Sequence, residues 1–278
     1  MSLFVMLAVL GSAFFHALWN TLIKSGTNRM AATVILSLGE IPFGIAVAVS
    51  RPMLATEALP WVFAAGCTHF FYKLFLTLAY QRGDLSRVYP IARGTAPLII
   101  AVVSATFLGE VLTPHEFAGI MVLGLGILMM AGGAILGGEN RRLIPFALGS
   151  AVATSIYTMI DAHGAKVSGD AVAYVAWVFI ADGLFFSVGV TAWKGLGFLP
   201  REVKPWVTGL TAAAASYVAY AISIWATTVA PVSLVAALRE TSILFAVVMG
   251  WIFFHERMTR SKALAALVIV GGVVLTRL

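Results

Sequence analysis

Arg93-Gly94-Thr95-Ala96-Pro97-Leu98, running on to Phe107-Leu108-Gly109-Glu110 and Thr113, returns 146 positions later as Arg239-Glu240-Thr241-Ser242-Ile243-Leu244, Phe253-Phe254-His255-Glu256 and Thr259. Arg93 matches Arg239, Thr95 Thr241, Leu98 Leu244, Phe107 Phe253, Glu110 Glu256 and Thr113 Thr259, so a single offset serves six identities and marks a duplication. Toward the N-terminus the offset drifts, as loop insertions and deletions produce: Trp61 pairs with Trp206, Glu40 with Asp182, and Trp19-(x6)-Gly26 with Tyr157-(x6)-Gly164. The two halves expected from this are residues 1–138 and 139–278.

Between these landmarks the chain is mostly apolar. Of its 278 residues 60% are hydrophobic and 11% charged, with a mean hydropathy of +0.97, a balance that excludes a soluble domain of this length. A transmembrane helix takes about 20 consecutive apolar residues. By that measure ten spans are read, at Leu3–Ile23, Met30–Ser50, Leu59–Tyr80, Val88–Leu108, Phe117–Leu136, Leu143–Ile160, Ala171–Trp193, Trp206–Thr227, Val232–Phe254 and Ala263–Thr276. The expectation is an all-α membrane protein of ten transmembrane helices. Because each half has an odd number of spans, two tandem copies cross the bilayer in opposite senses, which makes an inverted repeat and places a solute site near the midplane between the halves.

The connections are short and punctuated, as at Gly26-Thr27-Asn28, Arg82-Gly83-Asp84 and Pro200-Arg201-Glu202, and leave no room for a soluble domain. The first span follows Met1-Ser2 without a basic leader or a small-residue cleavage site and reads as a retained helix. Cys67 is the only cysteine, which excludes disulfides and thiolate metal clusters; no metal or cofactor is expected. The formal charge of +6 does not imply nucleic acid. Lys24, Arg29, Arg82, Arg87, Arg141, Arg142, Lys194, Arg201, Lys204, Arg257, Arg260 and Lys262 all fall in or beside the odd loops, against Arg51, Lys166 and Arg277 in the even loops and tail. The positive-inside rule then puts the odd loops in the cytoplasm and both termini outside.

The paired half-ends resemble the ten-helix EamA-type members of the drug/metabolite transporter superfamily over essentially the whole chain. The resemblance rests on Ala79-Tyr80-(x9)-Pro90, Ala96-Pro97, Phe107-Leu108-Gly109-Glu110, Thr113 and Gly119-(x4)-Gly124-x-Gly126, and on Ala230-Pro231, Ala236-(x8)-Phe245, Phe253-Phe254-His255-Glu256, Thr259 and Gly271-Gly272. Four further stretches look like a subgroup described as phosphonate-utilisation-associated membrane proteins: His16-Ala17-x-Trp19-Asn20-(x3)-Lys24, Tyr89-Pro90-Ile91-Ala92-Arg93-Gly94, Tyr157-Thr158-x-x-Asp161 and Ala237-Leu238-Arg239-Glu240-Thr241-Ser242. The resemblance implies a bacterial inner-membrane permease that carries amino acids, other metabolites or drugs by secondary transport, often as efflux, without ATP. The sequence agrees in having no phosphate-binding glycine loop.

A charge near the bilayer midplane costs at least about 2.5 kcal/mol, so each one asks for a reason. Arg93 and Arg239 are repeat-equivalent, read as lying within the fourth and ninth spans, and cannot shed their charge. Two guanidiniums facing one cavity suit a carboxylate or phosphonate, which accepts their paired N–H groups. The alternative is that each arginine pairs internally and holds the halves together, with Glu240 a ready partner for Arg239. His16 and Asn20 share a face of the first span with Trp19 at its edge; His69, Tyr72 and Lys73 follow i, i+3, i+4 spacing on the third. Tyr89 stands one turn before Arg93, and Tyr157, Tyr217 and Tyr220 add aromatic walls with hydrogen-bonding tips, the composition of a small-molecule pocket, unless each is ordinary packing or an interfacial residue.

Glu40 and Asp182 fall mid-span in corresponding spans, Asp161 follows the sixth span, and Glu240 adjoins Arg239. Desolvation penalises a charged carboxylate, so one buried in a membrane is able to exchange protons near neutral pH. These four are the proton-coupling candidates; the competing role is salt-bridge partner to Arg93, Lys73 or Arg239. Glu110 and Glu256 sit at helix ends and read as structural, with Thr113-Pro114-His115-Glu116 a capping box that starts the fifth helix. Gly119, Gly124, Gly126 and Gly132-Gly133 suit close packing on a neighbouring helix or a second protomer, so the chain works as a monomer or a homodimer among membrane lipids. An enzyme is a poor fit, since no zinc-binding or nucleophile motif occurs. Two further readings keep the composition: a flippase for an anionic lipid, and a scaffold or sensor.

Overall fold

The computed structural model describes residues 1–24, 28–82, 85–107, 112–135, 141–255 and 260–276. These form α1 (Leu3–Lys24), α2 (Arg29–Ala48), α3 (Leu59–Tyr80), α4 (Leu85–Phe107), α5 (Pro114–Ile135), α6 (Ile144–Ser168), α7 (Ala171–Lys194), α8 (Val203–Val229), α9 (Val232–Arg239), α10 (Ser242–Phe254) and α11 (Arg260–Leu275), with no strand among the described residues. Among the described residues, seven segments are both long and apolar enough to cross a membrane: α1, α2, α3, α6, α7, α8 and the stretch Val232–Phe253. In α4, α5 and α11 the qualifying apolar run is shorter, at Thr95–Ser104, Pro114–Met129 and Ala263–Leu275.

Local chemistry sets the helix ends. Asn28 caps α2 by accepting from the Ala31 N–H (3.1 Å), and Asp170 caps α7 by accepting from Val172 and Ala173. Gly169, at φ +71, supplies the left-handed residue that ends α6 one position before that cap, which allows an abrupt reversal. The capping box forms: Glu116 accepts from the Thr113 N–H (2.9 Å) while Thr113 Oγ1 accepts from the Glu116 N–H (3.2 Å). Glu110, Glu256 and Thr259 lie outside the described residues.

Two expected boundaries need correction. The sixth span does not stop at Ile160: α6 continues to Ser168, so Asp161 lies within the helix and is 0% exposed. It survives there because the surrounding side chains satisfy its carboxylate. The ninth span is two helices, and Arg239 is the last residue of the short α9 instead of lying within a continuous helix. At the break the backbone tightens to i→i+3 bonds, Glu240 N to Ala237 O (3.1 Å) and Thr241 N to Leu238 O (3.0 Å), a geometry that re-aims the side chains beside it. The equivalent stretch around Arg93 in α4 stays α-helical.

The most extensive packing pairs α2 with α7, α5 with α11, α3 with α6 and α1 with α8. The glycine stripe serves one of these pairs within the chain. A Cβ at Gly272 would stand 2.6 Å from the Leu123 nitrogen and 2.9 Å from the Gly119 carbonyl oxygen, whereas one at Gly271 meets nothing within 4 Å. Gly272→Ala is therefore expected to destabilise by about 1–3 kcal/mol, read as a lowered melting temperature in detergent, with Gly271→Ala close to wild type. Equal behaviour of the two would mean that α5 and α11 do not meet at this face.

Candidate functional site

Three buried polar clusters meet around one cavity of about 80 Å³, lined from both halves of the chain. That is room for a handful of waters or a few solute atoms in this conformation.

The first cluster centres on Lys73. Its ammonium donates to Ser37 Oγ (2.7 Å), Glu40 Oε2 (2.9 Å) and Asp182 Oδ2 (2.5 Å). Ser216 donates to the other Glu40 oxygen (2.8 Å), and Asp182 Oδ1 is buried with no hydrogen-bond partner among the described residues. Glu40 and Asp182, repeat-equivalent in sequence, are thus drawn together by one lysine from α3. Their partner is Lys73, not either arginine.

The second cluster centres on Asp161. His69 Nε2 donates to its Oδ2 (2.9 Å), the Tyr220 hydroxyl bonds to the same oxygen, and the Tyr174 hydroxyl donates to Oδ1 (3.0 Å). His69 packs against Tyr157 at 4.1 Å between ring centroids, and Tyr72 completes the aromatic wall at 5.3 Å from Tyr157.

The third cluster holds the arginines, and it separates them. Arg93 Nη1 donates to Glu240 Oε1 across the halves (3.4 Å), and its Nη2 meets His16 Nε2. Trp19 donates its indole N–H to His16 Nδ1 (3.2 Å), and Asn20 donates to the His16 carbonyl (2.8 Å). Arg93, 2% exposed, lies behind the cavity wall; His16, Trp19 and Asn20 line it. Glu240 therefore bonds directly to Arg93 and acts on its neighbour Arg239 only through space. Arg239 lines the cavity, donates to the Tyr157 hydroxyl (3.1 Å) and lies over the Tyr220 ring. It makes no ion pair with a carboxylate, and its Nε is buried without a partner among the described residues.

Of the other expected residues, His69, Tyr72, Lys73, Tyr157, Tyr220, Glu40 and Asp182 line the cavity, while Asp161 and Glu240 lie behind it. Tyr217 is not on the wall: its ring packs against Phe179 (5.0 Å) and its hydroxyl is buried without a partner. Tyr89 stands on α4, but its side chain lies outside the described residues. Ser37, Ser216 and Tyr174 were not anticipated. Ser37 precedes Glu40 by one turn and Ser216 precedes Tyr220 by one turn, a same-face spacing that was readable; Tyr174, just inside a helix start, carries no such signal.

The cavity extends toward one end of the helices. Ile23 and Arg29, flanking the first loop, and Tyr80, beside the third, line it. The opposite end is closed by Ser12, which donates to the Ala219 carbonyl (2.6 Å) and bonds to Ser223 (2.7 Å), and by Val5, Val9, Leu234, Val235 and Leu238 packed together. On that face Arg51 pairs with Asp170 (3.3 Å) and Trp61 stacks on His163 (4.4 Å), each joining one half to the other.

Both halves of the chain line this cavity, and both halves also match one family. Residues 3–132 and 141–278 both match the EamA-like transporter family. No curated protein matches the chain. A crystal structure of a protein aligns with a TM-score of 0.73 over 98% of this chain and 94% of the other, at 20% identity, a likeness of fold. The chain belongs to the EamA-like transporter family and is an integral membrane protein that moves small molecules.

Proposed function

We propose that the protein is a secondary transporter of a small organic zwitterion, an amino acid or an aminophosphonate, which it exchanges for a proton. The observation that carries this reading is Arg239: a guanidinium in the cavity wall that, among the described residues, makes no salt bridge to a carboxylate. A buried cation without a direct anionic contact is costly, and a solute anion is the partner that supplies that contact. The unpartnered Asp182 Oδ1 offers the opposite pole for an ammonium group. Aromatic rings between the poles suit a compact organic body.

The Lys73 cluster supports proton exchange by charge count. One ammonium faces two carboxylates, so the cluster lacks one positive charge, which a proton or the solute's ammonium supplies but not both together. Competition for that charge makes antiport, and an inward proton gradient then drives export. We assign Glu40 and Asp182 as the carriers, Arg239 as the anion contact, and Arg93 with Glu240 as the bridge that positions His16.

The packing pattern supports ten crossings as two inverted five-helix repeats, residues 1–138 and 139–278. Exchanging the halves turns α3 against α6 into α8 against α1 and leaves α2 against α7 and α5 against α11 unchanged. With the odd loops cytoplasmic in a bacterial inner membrane, the cavity opens inward and the Arg51–Asp170 pair lies in the closed outer gate. One chain completes the cavity, which supports a monomer as the working unit.

In proteoliposomes with an imposed proton gradient, a panel of amino acids, aminophosphonates and simple carboxylates is expected to show gradient-driven movement of a zwitterion. Glu40→Gln or Asp182→Asn, each leaving Lys73 with a single carboxylate, is expected to abolish the pH dependence. Flux that stays equally pH-dependent in both variants rules out the proton role, and movement of no panel member rules out the substrate class.

A further inference from the structure

Lys73 lines the cavity, yet its chemistry faces away from a solute. A lysine ammonium has three N–H donors, and here all three are taken, by Ser37, Glu40 and Asp182 at 2.5–2.9 Å. None remains for a transported molecule. The oxygens around it come from α2 and α7, one helix from each half, and Ser216 of α8 holds the far oxygen of Glu40 in place. Asp182, 3% exposed, still has one oxygen without a partner.

The cage and its occupant differ in symmetry. Glu40 and Asp182 correspond under the duplication, but Lys73 has no counterpart: the Trp61–Trp206 offset pairs it with Val218, mid-helix in α8, whose only basic residue is Lys204 in the first turn. Two carboxylates and the Ser37 hydroxyl, all hard oxygen donors, make a donor set that a small cation takes. Stripped of the lysine, they would leave two negative charges in a buried site, and a cation or protons must then neutralise them.

We propose that Ser37, Glu40 and Asp182, with Ser216 holding Glu40 in place, form a site for a small monovalent cation, and that the Lys73 ammonium is its permanent, tethered occupant. The wild-type protein accordingly needs no metal cation to join α2 to α7, and the site becomes open to a free ion when the ammonium is removed. The inference concerns the α2–α3–α7 corner and does not depend on which solute is carried.

The test is thermal unfolding of the purified full chain in detergent, with sodium, methylammonium or the bulky N-methylglucamine as the sole added cation at equal ionic strength. Wild type is expected to melt at one temperature in all three. Lys73→Ala, which empties the space, is expected to melt lower in N-methylglucamine and to recover by about 5 °C or more, saturably, with sodium or methylammonium. Lys73→Met, which fills the space with an uncharged chain, is expected to show no recovery. Lys73→Ala combined with Asp182→Asn, which is less charged and so folds more readily, is expected to lose most of the cation response. An alanine variant recoverable from membranes only in sodium or methylammonium supports the site. An alanine variant indifferent to the cation, a methionine variant that responds equally, or a wild type that itself needs sodium overturns it. Melting requires no solute, so failure of the transport reading leaves this result standing, and the converse holds too.

Discussion

Arg239→Gln is expected to lower the transport efficiency for the solute by about 10- to 100-fold while leaving the melting temperature near that of wild type. Arg239 makes no ion pair among the described residues and one hydrogen bond, to the Tyr157 hydroxyl. Glutamine thus strands no buried carboxylate, and the protein loses little. The solute loses a charge-assisted contact worth roughly 1.5–3 kcal/mol, and each 1.4 kcal/mol is a factor of about ten. Arg239→Lys keeps the charge and loses the planar fork, so it is expected to fall between the two, with the loss mainly in KM. Counterflow of labelled solute in proteoliposomes measures all three proteins under one condition. A glutamine variant with wild-type flux would remove the anion contact from the proposal, and one that fails to fold would make Arg239 a structural residue.

How far the sequence foretold this arrangement varies by residue. The all-helical apolar character and the division into two family-matching halves were legible because apolar length and fixed offsets are properties of the chain itself. Which arginine faces the cavity was not. Arg93 and Arg239 are equivalent in sequence, and what separates them is the short i→i+3 turn after Arg239, absent from α4. No glycine or proline at Glu240-Thr241 announces that turn.

The carboxylates show the same limit. Glu40 and Asp182 stood out as mid-span charges, and the possibility of pairing with Lys73 was open. That a single lysine from a third helix would hold both depends on three-dimensional approach, which spacing along one helix does not encode. Asp161 looked like a helix boundary because a charge ordinarily ends an apolar run. Inside the fold it accepts from His69, Tyr174 and Tyr220, and three donors let a carboxylate persist where lipid-facing burial would forbid it.

Arg93→Met is expected to cost about 3–5 kcal/mol of stability, because it leaves Glu240 buried without its cation. Glu240→Met, which removes this carboxylate from Arg93 instead, is expected to cost a similar amount. The pair is inaccessible, at 2% and 4% side-chain exposure, so water does not compensate either loss. The double variant removes both charges and is expected to be more stable than either single one, since replacing a buried ion pair by apolar residues is often neutral or better. Chemical unfolding of the four proteins in detergent closes the cycle, and a coupling of at least about 2 kcal/mol marks a true bridge between the halves. The alternative role gives the opposite pattern. If Arg93 instead contacts the solute directly, Arg93→Met abolishes solute binding with the melting temperature unchanged, and the two mutations add without coupling.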